Sequence, residues 1–250
     1  MWPYPRIVAH RGGGTLAPEN TLAGVRCGLA HGFHAVEFDV MLARDGIGVV
    51  MHDPKLGRTV AGSGLVYEHD AAALAAMDAG SWFGPDFAGE HVPLFTEFID
   101  LCKASGVWMN VEIKPAPGFE AATGTVVGAA LQALFADDIA AGNATALPLL
   151  SSFSAVALAA ARAAAPDLAR GFLIDQPGAD WRAQLDALGA IALHTNQKYL
   201  TTELAAQVKQ AGYGLFCYTV NDVARARQLL GWGVDGFCTD RIDLIGHDFS

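Results

Sequence analysis

Short apolar runs rich in β-branched residues alternate with longer Ala- and Leu-rich runs almost to the end of the chain. The short runs fall at 7–9, 35–39, 48–51, 108–113, 147–151, 169–174, 191–194, 214–220 and 236–239, and each reads as a strand. The longer runs at 21–31, 95–104, 120–137, 155–164, 202–211 and 222–230 carry apolar residues at helical spacing and read as helices. Alternation of this kind is the signature of a parallel α/β protein. Nine strand candidates compete for eight places if the sheet closes into a (β/α)₈ barrel, so one of them lies outside the ring. The short runs at 169–174 and 191–194 are the weakest of the nine.

Two interruptions break the regular pattern. No helix fits between Asp39 and Gly48, and Asp45-Gly46 marks a tight turn, so the chain is expected to return there in an extended crossover. Residues 53–93 then hold turn residues (Gly57, Gly62, Gly64), one short Ala-rich helix near 71–77 and the aromatic pair Trp82-Phe83. This stretch reads as a small insertion after the third strand, on the face where barrel enzymes assemble their active sites. No repeat, linker or second core is visible, and the chain reads as a single domain over 1–250.

Bulk properties support that picture and narrow the chemistry. The 250 residues match the usual length of one barrel domain, and 52% hydrophobic against 17% charged residues gives ample material for a large core. A net charge of −10 repels nucleic acid and anionic membrane surfaces at long range, so neither is an expected partner. Positive charge that binds an anion must therefore be local. Cys27, Cys102, Cys217 and Cys238 show no CxxC spacing and do not suggest zinc, and Cys217 and Cys238 lie within apolar runs as reduced core thiols would. The opening residues carry no basic-then-apolar signal, and no apolar run reaches the roughly 18 residues of a membrane span. The expectation is a cytoplasmic chain without stable membrane association. Composition leaves the oligomeric state open.

Polar residues at the ends of apolar strands are where a barrel collects its catalytic groups. His10-Arg11-Gly12-Gly13-Gly14 closes the first strand, and Val49-Val50-Met51-His52-Asp53 closes the third. Glu37 and Asp39 stand at i and i+2, on one face and about 6.5–7 Å apart along the strand, with Phe38 facing the other way. In Asn110-Val111-Glu112-Ile113-Lys114 polar and aliphatic residues alternate strictly. Glu37, Asp39 and Glu112 can converge on one hard divalent cation, and their oxygen ligands suit Mg²⁺ or Ca²⁺. Three carboxylates against that cation, Arg11 and Lys114 leave one net positive charge, matched to the single negative charge of a phosphodiester. Without the cation the pocket is net negative and repels that substrate. His10 and His52 supply the base and acid that phosphoester cleavage still lacks. Asn20, in Pro18-Glu19-Asn20-Thr21, reads as the N-cap of the following helix. Any one of these residues could be capping or structural; HR, ExD, H and ExK at the ends of four successive apolar strands are not explained that way.

The set His10-Arg11-Gly12, Pro18-Glu19-Asn20-Thr21, Glu37-x-Asp39, His52-Asp53 and Glu112-Ile113-Lys114 resembles the glycerophosphodiester phosphodiesterase family. So do Ser151-Ser152-Phe153, Tyr218-Thr219-Val220-Asn221 and the run from Gly233 to Asp240. The resemblance spans nearly the whole chain and is closest to the cytosolic bacterial enzyme associated with glycerol-3-phosphate uptake, which shares Asp78-Ala79-Gly80-Ser81-Trp82 and the Tyr before Thr219. Many other members carry Trp where this chain has Tyr218. The resemblance implies a TIM-type barrel of the phosphoinositide-phospholipase-C-like kind with a small insertion, and hydrolysis of deacylated phospholipids to sn-glycerol 3-phosphate and an alcohol. It implies that Glu37, Asp39 and Glu112 hold one metal ion, Mg²⁺ or Ca²⁺, and that Arg11 and Lys114 contact the phosphate. His10 and His52 would be the catalytic pair; the residues leave open which is acid and which is base, and family analogy makes His10 the base. Glu19 would support them from behind, and Trp82, Phe83 and Tyr218 would contact the glycerol or the alcohol. Lysophospholipids or phosphoinositides would call for an apolar rim or a basic cluster, which the chain does not show. A non-catalytic descendant would have lost a histidine or a carboxylate, and all five are present.

Overall fold

The computed structural model describes residues 2–250. Its strands are β1 (Ile7–His10), β2 (Ala35–Leu42), β3 (Gly48–Val50), β4 (Trp108–Ile113), β5 (Leu149–Ser152), β6 (Arg170–Ile174), β7 (Ala192–Asn196), β8 (Gly214–Tyr218) and β9 (Gly236–Thr239). Eight of them form a parallel ring in the order β1-β9-β8-β7-β6-β5-β4-β2, which β1 and β2 close by pairing. The helices are α1 (Leu22–Ala30), α2 (Ala71–Ala75), α3 (Phe95–Ala104), α4 (Glu120–Leu134), α5 (Ala136–Ala140), α6 (Ala155–Ala164), α7 (Trp181–Leu188), α8 (Thr202–Gln210) and α9 (Val223–Gly231). Except for α2, which belongs to the insertion, and α5, which follows α4 directly, they alternate with the ring strands, and the fold is a TIM-type barrel.

The ninth strand is β3, not one of the two short runs. It pairs antiparallel with the far end of β2, Val40 opposite Val50 and Leu42 opposite Gly48. The connection is thus a hairpin rather than an extended crossover. A parallel return needs a crossover of a dozen or more residues, whereas a tight turn delivers only an antiparallel neighbour. Here Ala43 N–H donates to the carbonyl of Ile47, and Gly46 takes a φ of +78°. Both short runs are ring strands, β6 and β7. Their apolar signal is weak because an inward-facing position on each is taken by Gly171 or His194. A Cβ on Gly171 would lie 2.2 Å from Nε2 of His194, so the glycine makes room for the imidazole.

Two apolar layers between strands and helices hold the barrel together, one under β2 to β5 and one under β6 to β9. In the first, Phe38 points outward against Phe95 and Phe98, which leaves Glu37 and Asp39 facing in. Helices α4 and α6 pack so closely that a Cβ on Gly124 would meet the carbonyl of Ala157 at 2.1 Å. Trp2 and Tyr4 close the bottom of the barrel by stacking on Phe216 and Trp108, with ring centroids 5.8 and 4.8 Å apart. The expected helix over 120–137 is interrupted at Phe135, and α7 has no counterpart in the sequence reading: only Trp181, Leu185 and Leu188 carry its buried face. Cys217 and Cys238 are buried and free. Among the described residues, no helix is long and apolar enough to cross a membrane.

Residues 53–93 build a small core of their own. Leu56, Val60, Val66, Leu74 and Val92 pack with Met41 and Val49 of the β2–β3 hairpin. Asp78 accepts hydrogen bonds from the backbone N–H groups of Gly80, Ser81 and Gly89 and so ties a turn of the insertion together. The insertion touches the barrel at several places: Glu90 accepts from Ala23 N–H at the start of α1, His91 Nε2 lies 2.9 Å from Glu97 on α3, Tyr67 lies 5.3 Å from Phe119 before α4, and Arg58 reaches the cluster described next.

Candidate active site

Parallel register brings the strand-end residues to one level. His10 on β1 is paired with Glu37 on β2, and Asp39 with Glu112 on β4. Because side chains alternate along a strand, Glu37, Asp39, Asn110 and Glu112 all point into the barrel. One carboxylate oxygen from each of Glu37, Asp39 and Glu112 lies within 4.8 Å of the others. Lys114 closes the group from above, its Nζ 3.3 Å from Asp39 and 3.8 Å from Glu112, and Arg11 Nε stands 3.5 Å from Asp39.

The third polar end is reached from outside the ring. Since β3 runs back along β2, Met51 N–H donates to the carbonyl of Asp39 and His52 arrives beside the carboxylates. The hairpin therefore does for His52 what a barrel strand does for the other site residues. Each histidine is held by a carboxylate: His10 Nδ1 lies 2.5 Å from Asp240, and His52 Nδ1 2.7 Å from Asp53. Nε2 of His10 is 3.7 Å from Glu37. With Nδ1 given to its carboxylate, each ring has Nε2 left for chemistry.

Unpaired charge is conspicuous on this wall. Burial, then the neighbouring Asp39 and Glu112, push the Glu37 carboxyl well above its ordinary range. Burial followed by Asp39 lifts Glu112 to about 8. Asp39 alone stays strongly acidic: against the upward push of burial, Lys114, Arg11 and His52 hold it down to about 2. Burial lowers His52, with the Arg11 and Lys114 charges adding to it against the pull of Asp39. Glu37 Oε2 and Arg11 Nε are buried without any hydrogen-bond partner. Buried polar atoms are nearly always satisfied, so an oxygen and a donor left bare in one cleft mark a place for a cation and an anion. Three converging carboxylates with a bare oxygen fit a divalent cation bound through oxygen.

A cleft of about 580 Å³, counted to its open mouth, runs down from this cluster into the barrel. Its near wall carries His10, Arg11, Glu37, His52, Glu112 and Lys114; its far wall carries Ser151, Phe153, His194, Phe216 and Tyr218. Trp82 and Phe83 do not line it. Trp82 is 42% exposed, packs edge-on against Phe83 and donates Nε1–H to the carbonyl of Ala79 inside the insertion. The aromatic pair at the cleft is Tyr218 with Phe153, 5.7 Å apart and edge-to-face.

Asn20 is not the N-cap of α1. Thr21 fills that place, its Oγ1 accepting from Gly24 N–H, while Asn20 adopts a left-handed conformation, φ +57°. From there its Nδ2 donates to Asp39 and its Oδ1 accepts from the Asp39 backbone N–H. Asn tolerates that conformation better than most residues, and here it fixes a carboxylate. Asp240, Asp53 and Asn221, which donates Nδ2–H to Asp240, carry no role in the sequence reading. Asp240 and Asn221 sit just beyond β9 and β8, so the same strand-end rule, carried round the ring, points to them. Arg58 gives no such signal, because it lies in the insertion.

A profile of the glycerophosphoryl diester phosphodiesterase family matches residues 10–244. The chain belongs to that family. Its relationship makes it a phosphoric diester hydrolase. It is 31% identical over 238 residues to the glycerophosphodiester phosphodiesterase of Caldanaerobacter subterraneus, covering 94% of this chain and 93% of the relative. Among solved structures it superposes with a TM-score of 0.85 on a phosphodiesterase from Oleispira antarctica, solved in complex with the product sn-glycerol-3-phosphate. That structure is 35% identical, with 94% of this chain and 93% of that one covered. The glycerophosphodiester phosphodiesterase of Agrobacterium tumefaciens gives a TM-score of 0.75 at 26% identity, over 96% of this chain and 98% of that one.

Proposed function

We propose that this hydrolase cleaves glycerophosphodiesters to sn-glycerol 3-phosphate and an alcohol, with Glu37, Asp39 and Glu112 holding one divalent cation, Mg²⁺ or Ca²⁺, and His10 and His52 moving the protons. The observation that carries the reading is the convergence of Glu37, Asp39 and Glu112, with Glu37 Oε2 left bare, beside two carboxylate-held histidines and an Arg11 Nε without a hydrogen-bond partner in one cleft. A relative solved with sn-glycerol-3-phosphate supports the product.

The cation supplies electrostatic stabilisation of negative charge developing on the phosphoryl oxygens. Arg11 and Lys114 bind the phosphate through the donors that face the cleft. In the favoured route the neighbouring glycerol hydroxyl attacks phosphorus, forming a new P–O bond as the bond to the alcohol breaks. His10 accepts the hydroxyl proton at Nε2, an assignment that follows the family, and His52 gives its proton to the departing oxygen. The two exchange roles when water opens the cyclic phosphate, which returns each to its starting state. Asp240 and Asp53 keep Nδ1 occupied, so only Nε2 of either ring exchanges protons.

The test is metal-stripped protein assayed on glycerophosphocholine with Mg²⁺, Ca²⁺ or Mn²⁺ added back, alongside single Ala substitutions at the three carboxylates. Activity should vanish in excess EDTA and return with the ion. Glu37→Ala, Asp39→Ala and Glu112→Ala should each lose most activity and bind the ion more weakly while remaining folded, because each also removes like-charge repulsion. Undiminished turnover in EDTA, or full activity in Glu112→Ala, defeats the reading.

A further inference from the structure

The insertion contributes one side chain to the cluster, and its geometry is that of a clamp. Arg58 donates from Nη1 and Nη2 to the two oxygens of Glu19, at 2.8 and 2.7 Å, and from Nε to Asp53. Glu19 also accepts from Nη1 of Arg11, at 2.9 Å, and Asp53 accepts from Nδ1 of His52. One guanidinium thus stands behind a phosphate-binding residue on the loop after β1 and a proton-transfer residue after β3. We propose that Arg58 is a positioning residue that sets Arg11 and His52 at a fixed relation to each other through Glu19 and Asp53.

Each branch has a physical reason. Glu19 has two oxygens and two cations. If Arg58 were absent, Arg11 would be its only cationic partner, and a bidentate pair would draw the Arg11 fork out of the cleft. With Arg58 taking both oxygens end-on through Nη1 and Nη2, Arg11 gives Glu19 one N–H, and its Nε is left near Asp39 without a hydrogen-bond partner. Asp53 likewise has one oxygen on His52 and the other on Arg58, which fixes the carboxylate plane and with it the imidazole. Only a planar, five-donor group reaches both carboxylates at once; a lysine ammonium offers a point charge without the fork. The β3 hairpin makes the clamp necessary. His52 lies on a loop outside the ring, and Arg58 is the group that ties it across to the loop after β1.

The inference rests on the roles proposed for Arg11 and His52, and the experiment separates the two. In cation-loaded full-length protein, Arg58→Ala should lower kcat at least about tenfold, the scale on which partners behind a functional residue act. KM should rise as well, but by less than in Arg11→Ala, because Arg11 is displaced from the phosphate and not removed. Arg58→Lys should recover part of the loss. Millimolar guanidinium, far below denaturing concentrations, should restore turnover of Arg58→Ala and not of Arg11→Ala or His52→Ala, with equal sodium chloride as control. If Arg58→Ala does not fold, Arg58→Gln carries the same readouts. Unchanged kcat in the variant, or a loss that neither lysine nor guanidinium relieves, overturns the clamp. An inactive His52→Ala beside a fully active Arg58→Ala removes only this inference; a fully active His52→Ala removes the reading of the site beneath it.

Discussion

The two walls of the cleft obey opposite rules. On the wall built by β1, β2, the β3 hairpin and β4, seven ionisable side chains crowd together: His10, Arg11, Glu37, Asp39, His52, Glu112 and Lys114. On the wall built by β5 to β8 the inward residues include Ser151, Gly171, Leu173, His194, Phe216 and Tyr218; burial holds His194 down to about 3 and pushes the Tyr218 phenol up, so both rings are neutral. Charge is confined to one side of a barrel whose eight strands are otherwise alike. A low-dielectric wall opposite a charged one strengthens every electrostatic contact in the cleft, because fewer polarisable groups screen it. The charged wall can act on phosphorus while the neutral wall shapes what is attached to it.

If that division holds, chemistry depends on the charged wall and on the substrate's own hydroxyl, and the far wall supplies no nucleophile. The sharpest test is a glycerophosphodiester whose 2-hydroxyl is replaced by hydrogen. Internal attack predicts that it binds and turns over at least about a hundredfold more slowly, the scale expected when an oriented nucleophile is lost. Ser151 Oγ, buried and without a partner, is the only hydroxyl of the far wall bare enough to compete. Ser151→Ala should therefore leave turnover of the normal substrate within a few-fold of wild type. Near-normal cleavage of the deoxy analogue would mean that water attacks directly and that His10 activates it.

The two walls should also respond to pH with opposite sign in metal-free protein. Burial, followed by the neighbouring Asp39, raises Glu112 from its ordinary value to about 8 in the folded state. A carboxyl raised on folding stabilises most below its unfolded value, so its contribution is lost as pH climbs through about 8. His194 falls from 6.5 to about 3 because burial disfavours its charge. Between those values the unfolded chain binds a proton that the folded chain refuses, so its contribution is present above about 6.5 and lost on acidification toward 3. Urea midpoints in EDTA should fall on the alkaline side for wild type and much less for Glu112→Gln. On the acid side His194→Gln should flatten the decline that begins near 6.5. Asp39, held at about 2, loses its contribution only below its ordinary carboxylate range, so the two acid effects separate. Parallel curves for wild type and both variants would abolish the contrast.

The same contrast explains what the sequence made legible. The ionisable members of the charged wall stand at or just beyond the end of an apolar run or, like Glu37 and Glu112, interrupt one, where a polar residue has no packing reason to be, and alternation in β2 and β4 assigns the face. The ring itself followed from alternating runs and length. The sequence leaves open which of the nine runs lies outside the ring, because 48–51 is as apolar as a ring strand; what excludes it is the missing crossover, a property of its connection. The neutral wall was nearly silent. Gly171 and His194 weaken the two strands that carry them, and their meaning appears only when one is seen to occupy the space the other vacates. Arg58, Asp53 and Asp240 act through partners 39, 1 and 230 residues away, and no local pattern encodes the two long reaches.

The smallest effect concerns which aromatic group meets the alcohol. Trp82 and Tyr218 are both candidates on sequence, but the structure sets them apart. Tyr218 lines the cleft beside Phe153, whereas Trp82 spends its Nε1–H on Ala79 and its face on Phe83 within the insertion. An aromatic contact is worth about 0.5–1.5 kcal/mol beyond buried area, which is roughly two- to tenfold in binding. Tyr218→Ala should raise KM by about that factor and to different extents for choline, ethanolamine and glycerol head groups, since each presents a different surface to the ring. Choline should lose most, because a quaternary ammonium over an aromatic face gains cation–π attraction that the others lack. Trp82→Ala should move no KM more than about twofold, the size of a surface substitution within ±0.5 kcal/mol. Kinetics on three head groups for the two variants decide the matter. Should Trp82→Ala reorder the head groups while Tyr218→Ala does not, the insertion reads the alcohol, and the neutral wall is only a lining.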